Sequence, residues 1–193
     1  MSHMKTPRVF LVHGFGGTPN GGWRPWLMDK LARLDVYACA LPMPSPDEPA
    51  LHAWVEEIGR AIGAPDESVF LVGHSLGVPA VLHYLATLPA GSRIGGAFLV
   101  SGPIRLSDHE RYAKIASFFT PPADLVLAQK ACAHFTVIHG DNDPVVPFSD
   151  GEEFARELSC ELISIPNGGH LNGSAGWREL PQLLEQISRV LPA

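Results

Sequence analysis

Basic runs are missing from this chain. Its 14 Lys and Arg are set among 20 Asp and Glu, for a net charge of −6, so it carries no electrostatic footprint for nucleic acid or for an anionic membrane. Long apolar runs are missing too: the first, residues 9–12, is too short for a signal-peptide core and far too short to span a bilayer, which makes a cytoplasmic protein the expectation. Cysteine is scarce. Cys39, Cys132 and Cys160 are odd in number, lie in or beside apolar runs and show no metal-type pairing, so buried reduced thiols are expected rather than a disulfide framework. Gly14, Gly16 and Gly17 cluster near the start but lack the G-x-G-x-x-G spacing and the G-K-[ST] ending of phosphate-binding loops. No cofactor and no metal are called for, and nothing points to a protein partner. Internal repeats and low-complexity tracts are absent as well.

With 46% hydrophobic residues over 193 positions, the chain is long enough for one well-buried core and too short for two ordinary domains. One domain is expected over residues 5–193. The opening Ser2-His3-Met4 reads as a cloning remnant, with the natural start at Met4. Apolar β-type runs at 9–12, 36–40, 69–72, 97–100, 135–139 and 161–165 recur with helical stretches between them, the signature of a parallel sheet covered on both faces. Leu51, Trp54, Val55, Ile58 and Ile62 fall on one helical stripe, as do Leu180, Leu183, Leu184, Ile187 and Leu191. Ala80, Val81, Leu82, Tyr84, Leu85 and Leu88 instead surround a helix with apolar groups, as suits an internal one. Ser149 with Glu152 three residues on predicts a capping box that starts a further helix carrying Phe154 and Leu158. Between 102 and 133 the β/α rhythm breaks into a Pro- and Phe-containing segment, expected to be a small lid of loop or short helices over the strand ends.

The run at 69–72 ends abruptly in Gly73-His74-Ser75-Leu76-Gly77 and passes into a helix. G-x-S-x-G between strand and helix is the pattern of a nucleophile elbow, whose sharp turn leaves no room for Cβ atoms beside the serine. A serine hydroxyl is a weak nucleophile until a base and an orienting acid converge on it. Candidates follow in the order Ser, Asp, His, each just beyond a strand's C-terminal end, where ligand sites of parallel sheets lie. Asp143, with Asp141 as its competitor, lies in Gly140-Asp141-Asn142-Asp143-Pro144-Val145-Val146-Pro147, and His170 in Gly168-Gly169-His170.

Together with Val12-His13-Gly14-Phe15-Gly16-Gly17 and Trp23, these motifs make nearly the whole chain resemble an α/β-hydrolase, more narrowly the small serine hydrolases related to retinoblastoma-binding protein nine and its bacterial relatives. The resemblance implies a compact α/β fold: six parallel strands in the order 2-1-3-4-5-6, helices on both faces and a minimal lid. It implies Ser75, Asp143 and His170 as the catalytic triad, because the family pattern sets the carboxylate three residues after the glycine and three before a Val-Pro pair. Asp141 then reads as a turn-forming or supporting residue. The oxyanion donors expected are the backbone N–H groups of Leu76 and, from the glycine-rich loop, Phe15.

The chemistry expected is two-step acyl transfer on a small-molecule ester or amide, carboxylesterase-like, with His170 as base then acid and Asp143 holding its tautomer. His13 reads as loop support, with substrate contact as its second reading. Trp23, Trp177, Phe118 and Phe119 are candidates for lining a pocket, against a role in the core. His74 reads as a packed or loop-supporting group, and His52, His83, His109 and His134 as scattered surface or helix-face groups. Three other readings use the same residues: a binding protein on a hydrolase scaffold without turnover, an acyltransferase, and a metal-dependent hydrolase built on His139, Asp141 and Asp143, which lacks the second histidine group such a site needs.

Overall fold

Alternation along each strand splits the core in two. In the computed structural model, which describes residues 5–106 and 110–192, the strands β1 (Arg8–Val12), β2 (Tyr37–Ala40), β3 (Val69–His74), β4 (Gly96–Val100), β5 (Phe135–Gly140) and β6 (Glu161–Ile165) form one six-stranded parallel sheet in the order β2-β1-β3-β4-β5-β6. Side chains of period two send Phe10, Val12, Leu71, Leu99 and Val137 to one face and Val9, Leu11, Phe70, Phe98 and Ile138 to the other. Ser2-His3-Met4 and His109 lie outside the described residues.

Helices α2 (Leu51–Ile62), α3 (Gly77–Ala86), α4 (Leu125–Lys130) and α5 (Phe148–Glu157) pack on the first face, while α1 (Arg24–Ala32) and α6 (Pro181–Val190) cover the second. The striped α2 buries Trp54, Ile58 and Ile62, and α6 buries Leu183 and Ile187. In the all-round apolar α3 every residue from Gly77 to Leu82 is buried, because the helix lies between the sheet, α2 and α4. Both edge strands are half-exposed, whereas β3 and β4 are buried throughout.

Several expectations are revised. α5 begins at Phe148, one residue before the predicted cap, so exposed Ser149 caps nothing and Pro147 holds the N-cap position without a side-chain bond; the fixed φ of proline starts this helix instead. β2 starts at Tyr37, since Val36 turns into the core behind α1. α1 was not anticipated: its burial rests on Leu27 and Leu31 alone beyond Arg24, too few positions for a legible stripe. Of the three thiols only Cys132 is fully buried, where burial pushes its pKa up to about 12. Between β4 and β5 lie a 3-10 segment (Glu110–Phe118) and α4, whose N-cap Asp124 accepts the Leu127 amide at 2.9 Å. No helix among the described residues is long and apolar enough to cross a membrane.

Phe98, 1% exposed on the α1/α6 face, offers a test of the two-sided core. Phe98→Ala is expected to lower unfolding free energy by about 3–5 kcal/mol in urea titrations, while Leu34→Ser at a half-exposed position changes it by less than about 0.5 kcal/mol; similar losses for both would contradict the assignment.

Candidate active site

Ser75 follows immediately after β3 with φ 53°, a left-handed backbone that strains any residue but glycine. Crowding holds it there. The Ser75 amide donates to Val100 O at 2.9 Å and its carbonyl accepts the Val78 amide at 2.9 Å. A Cβ on Gly73 would lie 2.8 Å from the Gly77 carbonyl, and one on Gly77 would run into the Val12 carbonyl oxygen, so the first turn of α3 is pressed against β1 and β3. The loop after β1 comes equally close: a Cβ on Gly14 would sit 2.8 Å from that of Ser75.

Asp143 lies in the turn after β5, its side chain wholly withdrawn from solvent. Oδ1 accepts the amides of Val145 and Val146 at 2.8 and 3.0 Å, and Oδ2 accepts Nδ1–H of His170 at 2.8 Å. Burial alone would push the carboxyl pKa up, but hydrogen bonds from His139 and His170 outweigh it and hold the carboxyl well below the usual carboxylate range. It is ionised at neutral pH. His170 Nε2 in turn lies 3.0 Å from Ser75 Oγ, so an alcohol, an imidazole and a carboxylate from the ends of β3, β6 and β5 form one line of contacts.

Asp141 does not reach His170. Its Oδ1 accepts the Asn167 amide at 2.8 Å, and Asn142 Oδ1 accepts that of Gly169 at 2.8 Å, so the two side chains tie the β5 turn to the loop that carries His170. Three ring N–H groups hold that loop from the other side: Trp177 Nε1 donates to Gly168 O at 2.7 Å, His74 Nε2 to His170 O at 3.0 Å and Trp23 Nε1 to Leu171 O at 2.8 Å. The loop needs such holding because Asn167 and Leu171 both have positive φ. His139, fully buried under the β5 turn, directs Nε2–H between Val146 O at 3.1 Å and Asp143 Oδ2 at 3.5 Å. Asp141 turns away from this pair, and among the described residues no three His, Cys, Asp or Glu side chains gather as metal ligands.

Ser75 and His170 open on a cleft of about 630 Å³ whose apolar wall is built by Phe15, Leu106, Ile115, Phe119, Val145 and Val146. Phe119 thus faces the cleft. Phe118 does not: it is buried edge-on against Trp54, with ring centres 5.3 Å apart. Trp23 and Trp177 pack in and against the second core and clamp the His170 loop, Trp23 also bordering a smaller cleft beside Ser75, and His13 is buried with Nδ1 donating to Gly14 O at 2.8 Å and its ring against Trp54. His52 and His134 are exposed, and half-buried His83 donates to Phe118 O at 3.0 Å. Leu106, Ile115 and Val145 were missed because residues in irregular segments have no periodicity to reveal which way they face.

The model of the family described as serine hydrolase matches residues 9–189. The chain is 31% identical over 183 residues to the putative hydrolase YdeN of Bacillus subtilis, covering 95% of each protein. It is 24% identical over 188 residues to the serine hydrolase RBBP9 of Rattus norvegicus, again covering 95% of each. The crystal structure of the B. subtilis ydeN gene product superposes with a TM-score of 0.90 at 29% identity, over 96% of this chain and 98% of that one.

His74 supplies a pH test. Burial, with His170 beside it, pushes its imidazole from 6.5 down to about 3. The unfolded chain therefore takes up this proton below pH 6.5 while the folded one does not, and stability falls by about 1.4 kcal/mol per pH unit as pH drops from 6.5 toward 3. His74→Gln, which keeps an N–H for the His170 carbonyl, is expected to flatten the slope of unfolding free energy between pH 6 and 4 by about that amount. Identical slopes in urea titrations would refute the assignment.

Proposed function

Since the chain belongs to the serine hydrolase family, on an α/β-hydrolase fold, we propose that it cleaves small carboxylic esters through a Ser75-His170-Asp143 triad and an acyl-enzyme on Ser75. The observation that carries this reading is the unbroken line of contacts, 3.0 Å from Ser75 Oγ to His170 Nε2 and 2.8 Å from Nδ1 to Asp143, at the edge of the apolar cleft. An ionised carboxylate can only accept, so it fixes the proton on Nδ1 and leaves Nε2 bare to take the hydroxyl proton.

The chemistry follows from these positions. Oγ attacks the ester carbonyl as its proton passes to Nε2, and the imidazolium is stabilised by Asp143. The negative oxygen that develops lies within reach of the Leu76 and Phe15 amides, which border the cleft and donate to no backbone carbonyl among the described residues; preorganised donors of this kind lower the barrier by about 3–4 kcal/mol each. Collapse breaks the C–O bond, the alcohol leaves with the proton from Nε2, and water activated by the same nitrogen releases the acid. Leu106, Ile115 and Phe119 favour an apolar acyl or alkyl group in the cleft.

A fluorophosphonate probe is expected to label the wild-type protein and not Ser75→Ala. On para-nitrophenyl butyrate, His170→Ala should lower kcat by roughly 10⁶ and Asp143→Asn by roughly 10⁴ while the fold persists. Asp141→Asn should lower it by less than about tenfold, since it acts only through the loop it tethers, and a chelator should leave the rate unchanged. Labelling of Ser75→Ala, or wild-type turnover by His170→Ala, would end the proposal.

A further inference from the structure

A second cleft, of about 350 Å³, shares Phe15, Ser75, His170 and Asn172 with the first but none of its apolar lid residues. Its walls are the glycine-rich loop after β1, Trp23, His74 and the segment around Gly173 after His170. Among the described residues one Lys, Arg, Asp or Glu side chain stands in it. Arg24, 7% exposed, is the first residue of α1.

The Arg24 guanidinium carbon lies 5.7 Å from the centre of the Trp23 ring, and its polar atoms have few partners. Nη2 donates to Thr18 O at 2.9 Å, Nε is buried with no hydrogen-bond partner, and Nη1 makes no hydrogen bond among the described residues. The first turn of α1 contains no acidic residue, so the positive end of the helix dipole adds to the guanidinium instead of being neutralised. No carboxylate among the described residues offsets burial, which pushes the guanidinium pKa down to about 10. Gly21 keeps room for the group, since a Cβ there would lie 2.6 Å from Nη2. A buried ion without a counter-charge is costly until an anion pairs with it, and the space beside this one leads to Ser75.

We propose that Arg24 makes the second cleft an anion subsite, and that the preferred substrates are esters carrying a carboxylate on one half and an apolar group on the other. This deepens the ester-hydrolase reading and rests on it. The apolar half lies along Leu106, Ile115 and Phe119, the carboxylate pairs with Arg24 in the planar, charge-assisted manner suited to guanidinium, and the scissile bond lies over Ser75 between them.

The test compares kcat/KM for three esters: neutral para-nitrophenyl butyrate, para-nitrophenyl hemisuccinate with its carboxylate on the acyl half, and para-carboxyphenyl butyrate with it on the alcohol half. For one of the two anionic esters, the ratio of its kcat/KM to that of the neutral ester should fall by at least about tenfold in Arg24→Gln. Arg24→Lys should recover part of the ratio, and the wild-type ratio should shrink with added salt. A purely structural arginine would move all three esters together, so ratios unchanged by Arg24→Gln, or a Lys variant no better than Gln, would overturn the subsite. Calorimetric titration of Ser75→Ala with the same esters reads binding without turnover and does not depend on the Arg24 variants folding. Tighter binding of one anionic ester supports the subsite even if fluorophosphonate labelling had failed and sunk the serine mechanism. Equal binding of all three overturns the subsite even where labelling succeeds.

Discussion

The contact on which the rest of this molecule depends is the one between the first turn of α3 and the end of β1. A side chain at Gly77 would strike the Val12 carbonyl oxygen, and one at Gly73 would meet the Gly77 backbone. Because both are absent, the helix can start directly beneath the strand ends, and the chain between them is forced through the left-handed turn at Ser75. That turn lifts the hydroxyl to the rim and brings the Leu76 amide and the Phe15 loop to the same side. The local strain, of order 1–3 kcal/mol for such a residue, is sustained by β3 and β4, which are buried along their whole length.

Reaching Ser75 from the far edge of the sheet sets a second demand. His170 follows an edge strand and sits in a loop with two non-glycine residues at positive φ, which left to itself would sample many conformations. Two kinds of tether restrain it. Asp141 and Asn142 take its amides from the β5 side, and Trp23, His74 and Trp177 give ring N–H groups to its carbonyls from the core side. The imidazole is thereby positioned by at least five bonds besides those of its own ring, and its tautomer by Asp143. Burial keeps His74 neutral, so no second positive charge stands beside the imidazolium that forms during the proposed reaction.

The rim formed in this way has two unlike sides. One is largely apolar, its charged lining residues Arg105 and Asp150 paired with each other at 3.2 Å, while the other carries a guanidinium with no carboxylate partner among the described residues. In a low-dielectric space this difference in potential selects orientation as well as affinity. A neutral symmetric ester would leave Arg24 unpaired, and an ester with one charged half relieves it.

How much of this could be read before folding divides along the range of the interaction. Periods of 2 and 3.6 residues, and the glycines about Ser75, are imposed by neighbours a few positions away, so the strands, the helices α2, α3 and α6, and the three residue types at strand ends were legible in the sequence itself. The resemblance added the strand order and the choice of Asp143. Short-range signals failed where the chain is irregular: the supposed cap at Ser149, the weakly striped α1, and the side chains facing the cleft from the 102–133 segment. Trp23 and Trp177 as clamps, Asp141 as a tether, and Arg24 as a buried cation without a counter-ion were decided only by tertiary structure. Each depends on which loops the parallel stacking of β1, β5 and β6 brings together, across offsets as long as the 148 positions from Trp23 to Leu171, and no local pattern encodes a partner that far along the chain.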